Sequence, residues 1–218
     1  MRPREHGYGV LLVLIVVSLI FQLATNESDV THVVTILLVG GTFLAALWTS
    51  QARAGRLWVA SGVVVALTLG AAVTFAASGS VNDAGARIVS LLMVALAPIA
   101  IVHGLIRHFR DEGRVTVQTM FGVLCIYLLL GSLFAFAYGI LDEIGSAPFF
   151  AQIQAGTTSD YLYFSFSTLT TTGYGDLTAG TDLGRSFAIT EQLLGQIYLV
   201  TVVAVIVGNL SRGARRRT

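Results

Sequence analysis

Long apolar runs separated by short polar segments dominate this sequence. Runs that are long enough to cross a membrane lie at about residues 8–24, 30–48, 57–77, 86–106, 115–140 and 183–210. A helix needs about 20 apolar residues to span the hydrocarbon core of a bilayer. Residues 141–182 differ from these runs, because they are too polar to cross a membrane and too aromatic for a plain loop. We therefore predict six transmembrane helices, with a short re-entrant helix between the last two.

The composition supports the same fold class, an all-α integral membrane protein. Of the 218 residues, 55% are hydrophobic and only 11% are charged. A soluble domain of this size needs far more charge to cover its surface. No basic patch with interleaved aromatic residues is present, so we expect no nucleic-acid partner. The single cysteine, Cys125, cannot form an intrachain disulfide.

The arginines set the predicted orientation, because cytoplasmic loops of membrane proteins carry an excess of basic residues. With the N-terminus in the cytoplasm, only Arg87 and Arg185 fall near the outer face. The other arginines then all fall inside, while the predicted outer loops carry acids such as Glu27 and Asp142. We therefore predict a multi-pass protein of the cell membrane with both termini in the cytoplasm.

A candidate cation site follows the re-entrant helix, which we predict over residues 161–170 with Ser159 and Asp160 as N-terminal caps. The next residues are Thr171–Asp176, with the sequence Thr-Thr-Gly-Tyr-Gly-Asp. Backbone carbonyls can replace the water around a cation if they all point to one axis. Gly173 and Gly175 can adopt the backbone angles that this requires. The negative C-terminal end of the short helix also favours a cation at this position.

This hexapeptide, after an aromatic helix and before an apolar one, resembles the signature of potassium channels. The resemblance covers about residues 115–210 and implies a homotetramer around one pore, with K⁺ as the permeant ion and no cofactor. It also implies that Asp176 lies at the outer mouth, and that the Tyr174 ring packs against the short helix. Many relatives have Val at the position of Thr172, which leaves the carbonyl unchanged. The implied selectivity filter consists of Thr171, Thr172, Gly173, Tyr174 and Gly175, with K⁺ bound by the carbonyls of the first four and by the Thr171 hydroxyl.

The last apolar run offers candidate gating residues. Gly195 matches the hinge glycine of the potassium channel family, although close helix packing also selects a small residue. A stripe at spacings of three and four residues would face the central cavity, and its two valines could form an apolar constriction that closes by dewetting. A lipid-facing or helix-packing stripe would have the same spacing. The stripe consists of Gln196, Leu199, Val203 and Val207.

Glu191 is the one acid well inside a predicted span. A carboxylate within a membrane is costly, so it is a functional hypothesis by default. We predict that it lies at filter depth, bonds to the short helix near Ser167 or Thr168, and supports the filter from behind. The alternative is a carboxylate that bonds to nearby backbone or hydroxyl groups without any effect on gating.

The chain divides into residues 1–114, with four spans, and residues 115–218, the pore domain. The first part has the same number of spans as a voltage sensor, but it lacks the regularly spaced basic residues of one. Its fourth span carries Arg87 at the outer end and Arg107 and Arg110 at or beyond the inner edge. One charge gains only about 2.3 kcal/mol per 100 mV, so a sensor needs several within the span. The four spans of the first part could therefore be a degenerate sensor, a different helix bundle, or a ligand-sensing or lipid-sensing module.

The basic tail at the end of the sequence could bind anionic lipid headgroups or simply anchor the topology. Its arginines are Arg212, Arg215, Arg216 and Arg217.

The predicted function is that of a potassium-selective channel subunit with weak or absent voltage dependence. The alternatives are a voltage-gated channel with a degenerate sensor and a non-conducting regulatory subunit. A potassium uptake subunit is less consistent with one filter-like loop per chain. We expect no enzyme, because the sequence has no nucleophile with a base, no clustered metal ligands and no glycine-rich phosphate loop.

Overall fold

The computed structural model describes residues 7–25, 28–49, 62, 66, 83–112 and 116–215, and for a few helical stretches it describes the backbone alone. Within these residues the secondary structure is helical, apart from one isolated bridge between Phe150 and Ala179. The helices are α1 (Gly7–Ala24), α2 (Asp29–Thr49), α3 (Asp83–Glu112), α4 (Val117–Ile144), α5 (Thr158–Leu169) and α6 (Asp182–Arg215).

Each predicted span other than the third coincides with one of these helices. The third, residues 57–77, lies outside the described residues except at two positions. Among the described residues, α1 and α4 are long and apolar enough to cross a membrane, and α2 and α3 contain shorter apolar stretches. Helix α3 continues through residues 107–112, beyond the predicted end of its span, because backbone hydrogen bonding can continue past the apolar region that the prediction measured.

The first helix lies against the second half of the chain at both of its ends. At one end, the Tyr8 amide donates to Gln118 Oε1 of α4 at 3.1 Å. At the other end, the Ser159 hydroxyl of α5 donates to the Leu23 carbonyl at 3.2 Å. The two predicted domains are therefore in contact along α1, and α3 also packs on α4.

Helix α5 packs against both α4 and α6, inside a cluster of aromatic rings. The ring centroids of neighbouring members lie 4.9–6.1 Å apart, and several pairs meet edge to face. Such pairs stabilise a core beyond the area that they bury. This cluster holds the short helix against α4 and the loop that precedes it. Its members are Tyr138, Phe149, Phe150, Tyr161 and Phe164.

Asp142, near the end of α4, ties the loop before α5 in place. Its carboxylate accepts hydrogen bonds from the Phe149 amide, at 2.7 Å, and from the Tyr161 hydroxyl. The bridge at Phe150 then pairs this loop with the segment that follows residues 171–176, where Ala151 N–H donates to the Thr178 carbonyl at 2.9 Å. The loops on either side of α5 are thus held to one another.

Candidate functional site

Helix α5 begins at a capping box, earlier in the chain than we predicted. The N-cap is Thr157, whose hydroxyl accepts from the Asp160 amide at 3.2 Å, while the Asp160 carboxylate accepts from the Thr157 amide at 2.9 Å. This reciprocal pair satisfies two amides that have no partner within the helix. Ser159 was wrongly predicted as part of the cap, since its hydroxyl donates to the Leu23 carbonyl instead.

The C-terminal end of α5 is closed by a Schellman motif, which leads directly into the hexapeptide. The Thr171 amide donates to the Thr168 carbonyl at 2.9 Å, and the Thr172 amide donates to the Ser167 carbonyl at 2.8 Å. The Gly173 amide reaches the same Ser167 carbonyl at 3.1 Å. Ser167 therefore holds the start of the hexapeptide through its backbone.

Thr171 has a φ of 59°, in the left-handed region. A β-branched residue is a genuine outlier in this region, because its Cβ crowds the backbone. The Schellman motif normally places glycine at this position. The sequence analysis did not foresee this conformation, since it assigned the unusual backbone angles to the glycines alone.

Gly173 and Gly175 have φ values of 54° and 82°, so the prediction that they supply unusual backbone angles is confirmed. A Cβ added at either position would meet no atom within 4 Å. Backbone conformation, rather than a shortage of space, therefore explains why glycine stands here. All residues of Thr171–Asp176 are exposed in the single chain.

Tyr163 of α5 contacts the second half of the hexapeptide, at Tyr174 and Asp176. Its ring stacks on Tyr174, with centroids 5.9 Å apart and planes 8° from parallel. Its hydroxyl donates to Asp176 Oδ2 at 2.8 Å. The predicted packing of the Tyr174 ring against the short helix is thus seen, but sequence reasoning did not single out Tyr163. Its position eleven residues before Tyr174, in the aromatic run, was the only available signal.

Glu191 of α6 is fully buried against α5 and α4. Its Oε1 lies 2.5 Å from the Ser165 hydroxyl, and its Oε2 accepts from the Tyr138 hydroxyl at 2.5 Å. We predicted that Glu191 bonds to α5 near Ser167 or Thr168. It does bond to α5, but the partner is Ser165. Residues two apart on a helix point about 200° away from one another, so Ser167 faces away from Ser165. The Ser167 hydroxyl donates instead to the Phe164 carbonyl within α5.

Gly195 of α6 marks a close approach to the end of α5. A Cβ at this position would lie 2.6 Å from the Leu169 carbonyl oxygen, which is closer than real contacts allow. The packing explanation for this glycine is thus supported, and its role as a hinge stays a prediction. Beside it, Gln196 Nε2 donates to the Thr171 hydroxyl at 3.3 Å, so this member of the predicted stripe faces the hexapeptide.

Two tyrosines, Tyr127 of α4 and Tyr198 of α6, connect these helices near the C-terminal end of α5. Tyr127 and Tyr198 stack with ring centroids 5.7 Å apart. The Tyr127 hydroxyl donates to the Leu169 carbonyl at 3.3 Å, and the Tyr198 hydroxyl donates to the Val123 carbonyl at 2.6 Å. Sequence reasoning missed both residues, because their contacts connect positions far apart in the chain.

Several predicted residues lie outside the part of the chain whose side chains are described. These are the valines of the proposed constriction, the arginines of the fourth span and the basic tail, namely Val203, Val207, Arg87, Arg107, Arg110, Arg212, Arg215, Arg216 and Arg217. Leu199 is described and exposed. Their proposed roles stay predictions.

Comparison with known proteins finds one family model that is similar to this region. Residues 122–212 match a family model described as "Ion channel", and this segment contains most of α4, all of α5, the hexapeptide and most of α6. A comparison with curated proteins finds no match. The match and the apolar helices α1 and α4 together indicate a membrane protein. Residues 122–212 are therefore similar to an ion channel domain, which supports an ion channel.

Proposed function

We propose that this chain is one subunit of a tetrameric, potassium-selective channel that conducts K⁺ passively. The observation that carries the proposal is the hexapeptide Thr171–Asp176, which directly follows the C-terminus of a 12-residue helix and has left-handed glycines at two alternate positions. Its location within the matched ion channel segment supports the same interpretation.

The chemistry of the hexapeptide suits a dehydrated monovalent cation. Carbonyl oxygens provide neutral ligands that replace water around the ion. The carbonyls of residues 171–174 and the Thr171 hydroxyl would serve as these ligands. The C-terminal end of α5 adds a partial negative charge next to them. Asp176, fixed by Tyr163, would add a negative charge at the outer mouth.

A tetramer is favoured because each chain has one filter segment, and several strands must surround an axis to coordinate an ion on all sides. In the single chain the filter segment is exposed, and the Tyr174 side chain is 70% exposed. Helix α6 also exposes large apolar side chains along its length. Copies of the chain around a central pore would cover these surfaces. Examples of these side chains are Leu183, Phe187, Leu193, Ile197 and Val200.

Weak or absent voltage dependence belongs to the same proposal. Residues 90–106 of α3 include no arginine, lysine or acid. A field across the membrane acts on charge within the span, so this stretch offers little for it to move. The contacts of α1 with α4 and α5 also tie the front helices to the pore half.

The first experiment measures K⁺ flux into liposomes that contain the purified protein, with a Na⁺ gradient as the reference. We expect flux that is selective for K⁺ and that is lost in Gly173→Ala, because alanine disfavours the left-handed backbone. Gly41→Ala is the matched control, since a Cβ at Gly41 meets no atom within 4 Å. Equal K⁺ and Na⁺ flux, or full activity in Gly173→Ala, would contradict the proposal.

The voltage prediction is tested on the same vesicles, held at two opposite membrane potentials. We expect similar open probabilities at both potentials. A steep change in open probability between the two potentials would retain the channel but reject our interpretation of the front half.

A further inference from the structure

The carboxyl group of Glu191 has no cationic partner among the described residues. Arg185, the arginine of α6 whose side chain is described, donates to the Ala179 carbonyl and lies 3.7 Å from Asp182. Among the described residues, the titratable groups near Glu191 are two phenols of α4, Tyr138 and Tyr127, and the Tyr127 hydroxyl is bonded to the Leu169 carbonyl. From α5, the facing polar group is the Ser165 hydroxyl, which does not titrate in this range.

The oxygen atoms around Glu191 make three short contacts that each require one hydrogen. Tyr138 O–H reaches Oε2 at 2.5 Å, the Ser165 hydroxyl lies 2.5 Å from Oε1, and the same Ser165 hydroxyl lies 2.7 Å from the Gly131 carbonyl. Each hydroxyl carries a single hydrogen, and a carbonyl carries none. The two hydroxyls therefore provide hydrogens for only two of the three contacts.

We infer that Glu191 is a neutral carboxylic acid in the folded channel and supplies the third hydrogen. Its Oε1–H donates to the Ser165 hydroxyl, the Ser165 hydroxyl donates to the Gly131 carbonyl, and the Tyr138 hydroxyl donates to Oε2. With an ionised Glu191, Ser165 would donate to the carboxylate, and two acceptor oxygens would face one another across the Gly131 contact. A buried charge without a cation is also costly, whereas a buried neutral acid with all hydrogen bonds made is not.

We assign neutral Glu191 a positioning role, because its hydrogen bonds connect three helices. This role rests on the proposed channel function. The acid joins α6 to α5 through Ser165 and to α4 through Tyr138 and the Gly131 carbonyl. Two residues after Ser165, the Ser167 carbonyl accepts the amides of Thr172 and Gly173. The neutral acid thus positions the last turns of α5, whose Ser167 carbonyl binds the start of the proposed filter.

Infrared spectroscopy of the full-length protein in liposomes tests the protonation directly. The difference spectrum of wild type minus Glu191→Gln at neutral pH should contain the C=O band of a protonated carboxylic acid, and this band should shift in deuterated water. Carboxylate bands in that difference spectrum would overturn the inference. This measurement does not depend on conduction, so a wild-type protein without K⁺ flux would contradict the proposed function and leave this result standing.

Flux through variants tests the positioning role. Glutamine can donate to Ser165 and accept from Tyr138, so Glu191→Gln should keep K⁺ flux within about twofold of wild type. Glu191→Leu has a similar volume but removes the acceptor of the buried Tyr138 hydroxyl and the link to Ser165, and we expect flux to fall by roughly fivefold to a hundredfold. A Glu191→Gln protein that is as impaired as Glu191→Leu would mean that charge matters, and would overturn the inference.

Discussion

Two carboxyl groups beside α5 accept a hydrogen bond from a tyrosine, but their surroundings differ. Glu191 is 0% exposed and bonds to Tyr138, whereas Asp176 lies in the exposed hexapeptide and bonds to Tyr163. Water can replace a lost partner at an exposed site but cannot at a buried one, so similar bonds have different energetic weight. The buried side of α5 is therefore expected to govern stability, and the exposed side the contact with ions.

The glycines on these two sides are required for different reasons. Gly195, on the buried side, is required by the close approach of the Leu169 carbonyl. Gly173, on the exposed side, has free space around it and is required by its backbone angles. Substitutions on the two sides should therefore fail for different reasons, and the following predictions rank them by their effect on stability.

The largest expected effect is that of Gly195→Ala. The new Cβ would collide with a backbone oxygen that cannot rotate away, so we expect the free energy of unfolding to fall by about 3 kcal/mol. Thermal unfolding of the purified protein measures this change. Gly41→Ala is again the control, and its open helical position predicts a change of at most about 1 kcal/mol towards greater stability. Equal melting temperatures for the two variants would contradict the conclusion that close packing against the Leu169 carbonyl requires glycine at position 195.

Tyr138→Phe should have the next largest effect. It leaves Oε2 of Glu191 buried without a hydrogen-bond donor, while the ring and its aromatic contacts remain. Leaving such an acceptor unsatisfied should cost about 2 kcal/mol, measured by the same unfolding experiment. An unchanged stability would show that water enters the site, and would weaken the contrast with Asp176.

Thr171 allows a comparison between two variants that both lose the hydroxyl. Thr171→Gly accepts the left-handed backbone, whereas Thr171→Ala keeps the conflict of its Cβ with this conformation. We expect the glycine variant to be more stable than the alanine variant by about 1 kcal/mol. The opposite order would mean that this residue is not left-handed in the assembled protein.

The smallest expected effect on stability is that of Tyr163→Phe. The ring can still stack on Tyr174, and water can solvate Asp176 when the hydroxyl is removed. We expect the free energy of unfolding to change by less than about 0.5 kcal/mol. A loss as large as that of Tyr138→Phe would show that exposure does not separate the two carboxyl sites.

Much of the helical framework could be predicted from the sequence, because apolar runs indicate where helices cross a membrane. The positive φ angles of the glycines in the hexapeptide were also predictable, since few other residues tolerate such angles. The partner of Glu191 was not, because it depends on how α5 is rotated relative to α6. Tyr138 contacts Glu191 across 53 positions in sequence, and no local pattern indicates such a contact. The left-handed Thr171 was missed because residue preferences argue against it.

The two caps of α5 have a consequence for the electric field inside a conducting tetramer. Because Thr157 and Asp160 fix one end and the Schellman motif fixes the other, the helix has a set length of 12 residues, or about 18 Å. The hydrocarbon core is about 30 Å thick, so the filter segment would begin part-way through it. If water fills the remaining depth beyond this segment, that part of the path drops little voltage. Most of the membrane potential would then act across the proposed filter, where four extended residues span about 13 Å.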